Sequence, residues 1–285
     1  MNDSVVTGRR PWRPGPAWLF CPADRPERYL KALGIADAVI LDLEDAVAPD
    51  RKAEARRSVE TLVQEGSFDH DRTVLRINAA SSIEHADDIA LLVTTGIHLV
   101  MLAKTESPQQ VETIRQVGDI AVIALLETAA GIDRASSIAF TEGVIAVMWG
   151  ADDLIASMGG SSSRRAEGGY RDVARVARSQ SLLATKAAGR LAIDAVYMAI
   201  PDHEGLRVEC EDAVAVGFDA KVAIHPDQVA IIRDAYRPSP ESLDWARRLL
   251  SHVGADRGVT TFEGRMVDGP IYAQAEQILR RAGSS

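Results

Sequence analysis

The feature that most constrains this chain is a rhythm. Eight short apolar runs, rich in β-branched residues, alternate with stretches of helical patterning. The runs fall at 17–21, 37–43, 73–77, 97–103, 120–126, 144–149, 193–199 and 221–224. Most are nearly continuous in apolar residues, which is how strands buried on both faces read. Helical stretches lie at 25–33, 50–64, 82–94, 108–116, 131–139, 170–188, 204–216 and 227–236. In the second of these, Ala53, Val59, Leu62 and Val63 make an apolar stripe among Arg and Glu. Pro108 and Pro226 suit first-turn positions, where a missing N–H leaves no helical bond unmade. Successive strands begin about 29 residues apart, close to the roughly 31 per unit of a (β/α)8 barrel. The reading is therefore α/β: a (β/α)8 TIM barrel over 17–238 with a C-terminal helical extension. An open doubly wound sheet is the alternative. The extension, 239–285, holds helices at 239–253 and 272–281 around a Gly-rich turn, and should contact the barrel or a neighbouring subunit. Residues 1–16 read as a flexible N-terminal tail.

Charge and composition narrow the partners. The 285 residues carry a net charge of −9, which disfavours a nucleic-acid surface, since that needs a basic face. Only Cys21 and Cys210 are present, with no metal-binding spacing, so neither a disulfide scaffold nor a zinc ribbon is expected and a reducing cytoplasm suits the chain. No run of about 18 apolar residues is available to cross a membrane, and the first residues lack the apolar core of a signal peptide.

The charged residues fall where a barrel would use them. In a parallel barrel the C-terminal ends of the strands converge on the active-site face. The second run ends in Asp42, Glu44 and Asp45, the third in Arg76 and Asn78, the fourth in Lys104, the fifth in Glu127 and the sixth in Asp152 and Asp153. Five consecutive strands placing charge there point to a convergent polar site. Glu127 and Asp153, on neighbouring strands, could share one hard divalent cation; Mg²⁺ takes one or two carboxylates and keeps positions for water or substrate. No histidine lies beside them, which disfavours zinc and copper. Such a metal could chelate a 2-oxo acid and stabilise a developing enolate, with Arg76 gripping the substrate carboxylate as a bidentate fork. Glu44 and Asp45 could hold metal-bound water or handle protons. Two other readings stay open: an ion-pair network of these acids with Arg76 and Lys104, or a Schiff-base aldolase using Lys104. Cys21 reads as a buried inert thiol, and His225 as a cap on the following helix. The glycine- and serine-rich stretch from Gly159 to Arg165 is either a solvated connection or a phosphate-contacting loop. Dinucleotide, P-loop, serine-hydrolase and zincin motifs are absent.

Several of these segments, in order, resemble the citrate lyase β-subunit-like family, part of a superfamily of divalent-metal aldolases and acyl-CoA lyases. They are Leu41-Asp42-Leu43-Glu44-Asp45-Ala46-Val47 with Lys52 and Arg56 downstream, Arg76-Ile77-Asn78, Glu127-Thr128, Gly150-Ala151-Asp152-Asp153-Leu154 and Phe262-Glu263-Gly264-Arg265-Met266-Val267-Asp268. The loop Ser161-Ser162-Ser163-Arg164-Arg165 resembles that of the stand-alone type. The resemblance implies a (β/α)8 barrel, usually a homotrimer, that uses Mg²⁺ held by Glu127 and Asp153. It implies that Arg76 contacts the substrate carboxylate, that Glu127 lies against the substrate, and that Asp268 reaches a neighbour's site as acid/base. It further implies cleavage of malyl-CoA or citramalyl-CoA type thioesters to acetyl-CoA and a 2-oxo acid, with thioester hydrolysis or the reverse condensation as related activities. Arg25, Arg28, Lys31, Arg164 and Arg165 are candidates to meet the charges of coenzyme A. Pro22-Ala23 departs from the Pro-Gly of many relatives, close to the expected coenzyme A entrance. A citryl-CoA lyase subunit working in a complex, and a non-catalytic acyl-CoA-binding subunit, are the remaining alternatives.

Overall fold

The computed structural model describes residues 12–253 and 258–283. Eight parallel strands close into a barrel in sequential order. They are β1 (Ala17–Pro22), β2 (Ala38–Asp42), β3 (Thr73–Ile77), β4 (Leu99–Leu102), β5 (Ala121–Leu126), β6 (Val144–Trp149), β7 (Leu191–Asp194) and β8 (Ala220–Ala223). Pairing of Ala17 with Lys221 and of Leu19 with Ala223 seals the circle. The helices around it are α1 (Pro26–Ile35), α2 (Lys52–Gln64), α3 (His85–Thr95), α4 (Pro108–Arg115), α5 (Ala129–Asp133), α6 (Ala135–Ala139), α7 (Ala151–Ser157), α8 (Asp172–Ala187), α9 (His203–Val216) and α10 (Pro226–Tyr236).

The near-continuous apolar runs are explained by two cores. One strand face fills the barrel: Trp18, Ile40, Val74, Met101, Ile123, Met148, Ile193 and Val222 pack together there. The alternate residues, such as Leu19, Val39, Leu41, Leu75, Val100 and Val122, pack outward against the helices. Side chains alternate faces along a strand, so Asp42, Arg76 and Glu127 continue the inward register of Ile40, Val74 and Leu125. That register aims them at the mouth of the barrel.

Four boundaries differ from the sequence reading. β7 stops at Asp194 rather than Ala199 because the next carbonyls bond side chains instead of a strand: Lys221 Nζ donates to Ala195 O (2.6 Å) and Gln228 Nε2 to Tyr197 O (2.9 Å). The helix expected at 131–139 is two, broken at Arg134 (φ −98°, ψ 14°), whose guanidinium reaches Glu106 O at 3.1 Å. α7 begins directly after β6, so Asp152 and Asp153 ride on a helix rather than a strand end. In the tail, Trp12 packs edge-on against Trp18 at 5.2 Å and donates to Asp71 O at 2.7 Å. Residues 12–16 thus plug the lower end of the barrel; residues 1–11 lie outside the described residues.

The C-terminal extension has its own small core. α11 (Pro240–Val253) and α12 (Gly269–Ala282) flank a hairpin of β9 (Thr260–Phe262) and β10 (Arg265–Val267), in place of the expected simple turn. Ala246, Leu249, Val267, Tyr272 and Ala275 are buried together. Glu263 (φ 49°) and Gly264 (φ 75°) form the two-residue link, the left-handed pair that a tight hairpin requires. Arg281 ties α12 to the end of α9 through Val214 O (3.1 Å). Among the described residues no helix is long and apolar enough to cross a membrane.

Candidate active site

At the C-terminal mouth of the barrel lies a cavity of about 380 Å³ lined by Phe20, Asp42, Asp45, Arg76, Glu127 and Asp153, with Leu125, Met148, Val196 and Ile224 among its apolar walls. Asp42, fully buried on β2, organises one side. Its carboxylate accepts the N–H groups of Glu44 (2.8 Å) and Ala46 (3.0 Å), which bends the chain after the strand. It also takes both edge nitrogens of Arg76 at 2.6 Å. The fork expected to hold a substrate carboxylate is therefore closed on Asp42. Only the Nη1 side of Arg76 remains, 3.0 Å from Glu44 Oε2, with the guanidinium 4.7 Å over the Phe20 ring. Burial opposes the charge on Arg76, but Asp42 and Glu44 hold it above the usual arginine range.

Glu127 is 3% exposed. One of its oxygens accepts the Lys104 N–H at 2.9 Å. A Cβ on Gly150 would stand 2.8 Å from Glu127 Cβ and 2.9 Å from Oε2, so only glycine leaves room for this carboxylate. Burial pushes the Glu127 carboxyl up to about 8; Arg76 pulls against this and Asp153 adds to it. Lys104 adopts φ 48°, a left-handed conformation that costs a non-glycine residue about 1–2 kcal/mol and marks functional sites. Its ammonium bonds Glu44 and lies 3.4 Å from Asp45 and 3.3 Å from Asp153. Burial lowers its proton affinity, but Glu44 and Glu127 more than reverse that, leaving the lysine above its usual range.

Whether these groups could hold a metal turns on the donors. Among the described residues no cluster of three or more His, Cys, Asp or Glu has metal-binding geometry. Glu127 and Asp153 nevertheless face one cavity that no His or Cys lines, and Glu127 is a desolvated carboxylate. Two carboxylate donors with open volume beside them suit a hard cation that keeps several waters, the preference of Mg²⁺. The ion-pair network with Arg76 and Lys104 is present as well, so the two readings of the acidic cluster are not exclusive.

The other candidates lie elsewhere. Asp268 caps the start of α12 without a side-chain bond and does not line the cavity. Arg25, at the N-cap of α1, and Arg28 and Lys31, on it, are exposed, just after Pro22, a cavity wall. Arg164 is held inside the protein: it pairs with Glu209 at 2.8 Å and lies 3.9 Å over Tyr170 and 4.9 Å over Tyr197. Arg165 pairs with Asp172 at 3.1 Å. The Ser161–Arg165 loop is tied to α7 by Ser163 Oγ on Asp152 at 2.6 Å. Burial pushes the Cys21 thiol up to about 12, in line with an inert role, and His225 accepts the Asp227 N–H at 3.3 Å as a helix cap.

Two assemblies escaped the sequence reading. Lys52, buried on α2, donates to Leu43 O and Glu44 O (both 2.7 Å) and to Asn78 Oδ1 (2.9 Å), holding the turn that carries Glu44. The second lies on the outward face of β7 and β8. There fully buried Lys221 meets Asp194 (3.1 Å) and Glu209 (2.9 Å), and Asp194 also takes Arg178 (2.9 Å) and Trp149 Nε1 (2.7 Å). A lysine and an aspartate inside apolar strand runs were the available signal.

The comparisons with known proteins bear on this geometry. The HpcH/HpaI aldolase/citrate lyase family profile matches residues 17–226. The chain is 53% identical over 271 residues to the citrate lyase subunit beta-like protein of Mycobacterium tuberculosis, covering 95% of this chain and 97% of that one. It is 32% identical over 270 residues to a (3S)-malyl-CoA thioesterase of Cereibacter sphaeroides, covering 93% of each. A crystal structure of the M. tuberculosis protein CitE in complex with magnesium, acetoacetate and coenzyme A superposes with a TM-score of 0.87 at 53% identity, over 95% of this chain and 98% of that one. The chain belongs to the HpcH/HpaI aldolase/citrate lyase family.

Proposed function

We propose that this protein is a Mg²⁺-dependent carbon–carbon lyase that cleaves short 3-hydroxyacyl-CoA thioesters of the malyl- or citramalyl-CoA type to acetyl-CoA and a 2-oxo acid. The observation that carries the reading is the pairing of Glu127 and Asp153 across one cavity with Arg76 in its wall. In the reaction the C2–C3 bond of the acyl chain breaks. The 3-hydroxyl gives up its proton and becomes the carbonyl of the 2-oxo acid. The electron pair passes to the thioester α-carbon, which takes up a proton.

Magnesium, when bound, supplies Lewis-acid polarisation of the substrate oxygens. The chain's own residues do the rest. Glu127 and Asp153 would hold the ion. Arg76, kept rigid by Asp42, presents its Nη1 side to the substrate carboxylate. Glu44 and Asp45, gathered by Lys104, lie where they can relay a proton. Arg28 and Lys31 face outward toward the phosphates of coenzyme A, exposed Arg25 and Arg165 would reach them from pairs with Asp24 and Asp172, and Arg164 is committed to Glu209. Asp268 does not line its own cavity, so the acid/base role implied for it is assigned to an adjacent copy in a homotrimer. Lys104 is held charged by carboxylates, whereas a Schiff-base lysine needs a lowered proton affinity. Hydrolysis of the thioester is a second reading, supported by the thioesterase relative.

The test is release of acetyl-CoA from malyl-CoA and from citramalyl-CoA, with Mg²⁺ and with EDTA. Metal-dependent release supports the lyase; free CoA without acetyl-CoA supports hydrolysis. Release that survives EDTA, together with a borohydride-trapped adduct on Lys104, overturns both.

A further inference from the structure

At the opposite end of the barrel is a second cavity, of about 350 Å³, unrelated to the carboxylate site. Six arginines line it: Arg13, Arg72, Arg233, Arg237, Arg280 and Arg281. Among the described residues the lining holds two carboxylates, Asp37 and Asp219. Both have partners, Asp37 with Arg233 at 2.7 Å and Asp219 with Lys186. Beside the lining, Asp234 pairs with Arg237 at 3.2 Å and Glu276 with Arg280 at 3.7 Å. Arg72 donates to the main-chain carbonyls of Leu33 (2.8 Å) and Ala36, which offer no full countercharge. Burial holds the Arg281 guanidinium below the usual arginine range. Tyr236 forms one wall, and its buried hydroxyl has no hydrogen-bond partner among the described residues. A concentration of positive charge is unusual in a chain of net charge −9, and guanidinium forks match phosphate oxygens in pairs.

We propose that this cavity binds a phosphate-bearing anion and that the anion clamps the C-terminal extension to the barrel. The clamp follows from where the arginines come from. Arg13 precedes β1, Arg72 precedes β3, Arg233 and Arg237 belong to the end of α10, and Arg280 and Arg281 belong to the end of α12. The six guanidiniums outnumber the four described acids that pair with or lie beside them, Asp37, Asp219, Asp234 and Glu276; an anion would give the segments one shared partner in addition to their own pairs. The volume lies within the range of small-molecule sites.

The probes are inorganic phosphate, pyrophosphate and ADP, each with EDTA present so that the carboxylate site holds no metal. A ligand at one hundred times its Kd that binds only the native state raises the thermal midpoint by about 5 °C for a chain of this size. Pyrophosphate is expected to produce that shift in the wild type and in Asp153→Asn. It is expected to produce none in the double variant Arg237→Ala/Arg280→Ala, whose two side chains are exposed and whose removal should leave the midpoint in anion-free buffer equal or higher. A response to pyrophosphate and ADP alike assigns recognition to the phosphates; a response to ADP alone assigns it to a nucleotide. No shift with any probe, or an equal shift in the double variant, overturns the proposal.

Discussion

Replacing Glu127 with glutamine should make the metal-free protein more stable, and only above a defined pH. A carboxyl group ordinarily loses its proton near 4.5; in this fold burial holds the Glu127 proton to about 8. The native state therefore binds more protons than the unfolded state between those values. The group opposes folding progressively as pH rises through that window. Each pH unit is worth about 1.4 kcal/mol, so ionising pressure on Glu127 amounts to about 3 kcal/mol by pH 7. Glutamine keeps the acceptor that receives the Lys104 N–H and has nothing to ionise. Urea midpoints in EDTA should agree for the two proteins at pH 4.5. The variant should be ahead by about 3 kcal/mol at pH 7. Mg²⁺ should then stabilise the wild type and leave the variant nearly unchanged, because the cation supplies the countercharge that the desolvated carboxylate lacks. A difference independent of pH, or a variant less stable at pH 7, would refute the reasoning.

Other substitutions separate holding the site from forming it. Arg76→Ala should cost on the order of 3 kcal/mol in urea unfolding as well as activity, because it leaves fully buried Asp42 without its cation; unchanged stability would show that Asp42 is neutral in the native state. Gly150→Ala should reduce lyase turnover more than tenfold at a cost of about 1–3 kcal/mol in stability, since the new methyl would crowd the Glu127 Cβ and displace its carboxylate; undiminished turnover would remove Glu127 from the mechanism. Lys221→Met should lose about 3–5 kcal/mol, by leaving Asp194 and Glu209 short of a cation. Mg²⁺ affinity, measured by calorimetry, should stay within a factor of about three of the wild type.

The barrel was legible because the strand runs carry two faces of apolar residues, and because the charged residues begin where each run ends. The same logic found Glu44, Arg76, Lys104, Glu127 and Asp153, all of which meet at one mouth. It failed where a tertiary partner outweighs local pattern. Asp42 reads as one more acid beside Glu44 and Asp45, and nothing local says that it will take both edge nitrogens of Arg76. The strand run continuing to Ala199 was cut at Asp194 by Lys221 and Gln228, which come from later in the chain. The left-handed conformation of Lys104 has no local signature either, because the residue is held there by Glu127, 23 positions away.

The two charged assemblies of this barrel differ in balance, and the difference separates structure from function. On the outward face, Asp194, Glu209 and Asp212 meet Lys221, Arg178 and Arg164, three charges of each sign. Such a set is closed: each member is satisfied, and any loss exposes a buried partner. At the mouth, Asp42, Glu44, Asp45, Glu127, Asp152 and Asp153 gather around Arg76 and Lys104, with the Lys52 ammonium spent on the main chain at Leu43 and Glu44. Burial pushes the Glu127 carboxyl up and Asp153 adds to it, more than Arg76 offsets, whereas Asp194, buried as deeply, is lowered to about 2 because Lys221 and Arg178 outweigh its burial. A fold that can build the balanced assembly on one face has left the other short of positive charge beside an open cavity. A bound divalent cation would correct that deficit without adding a side chain, and would keep the coordination positions that a substrate needs.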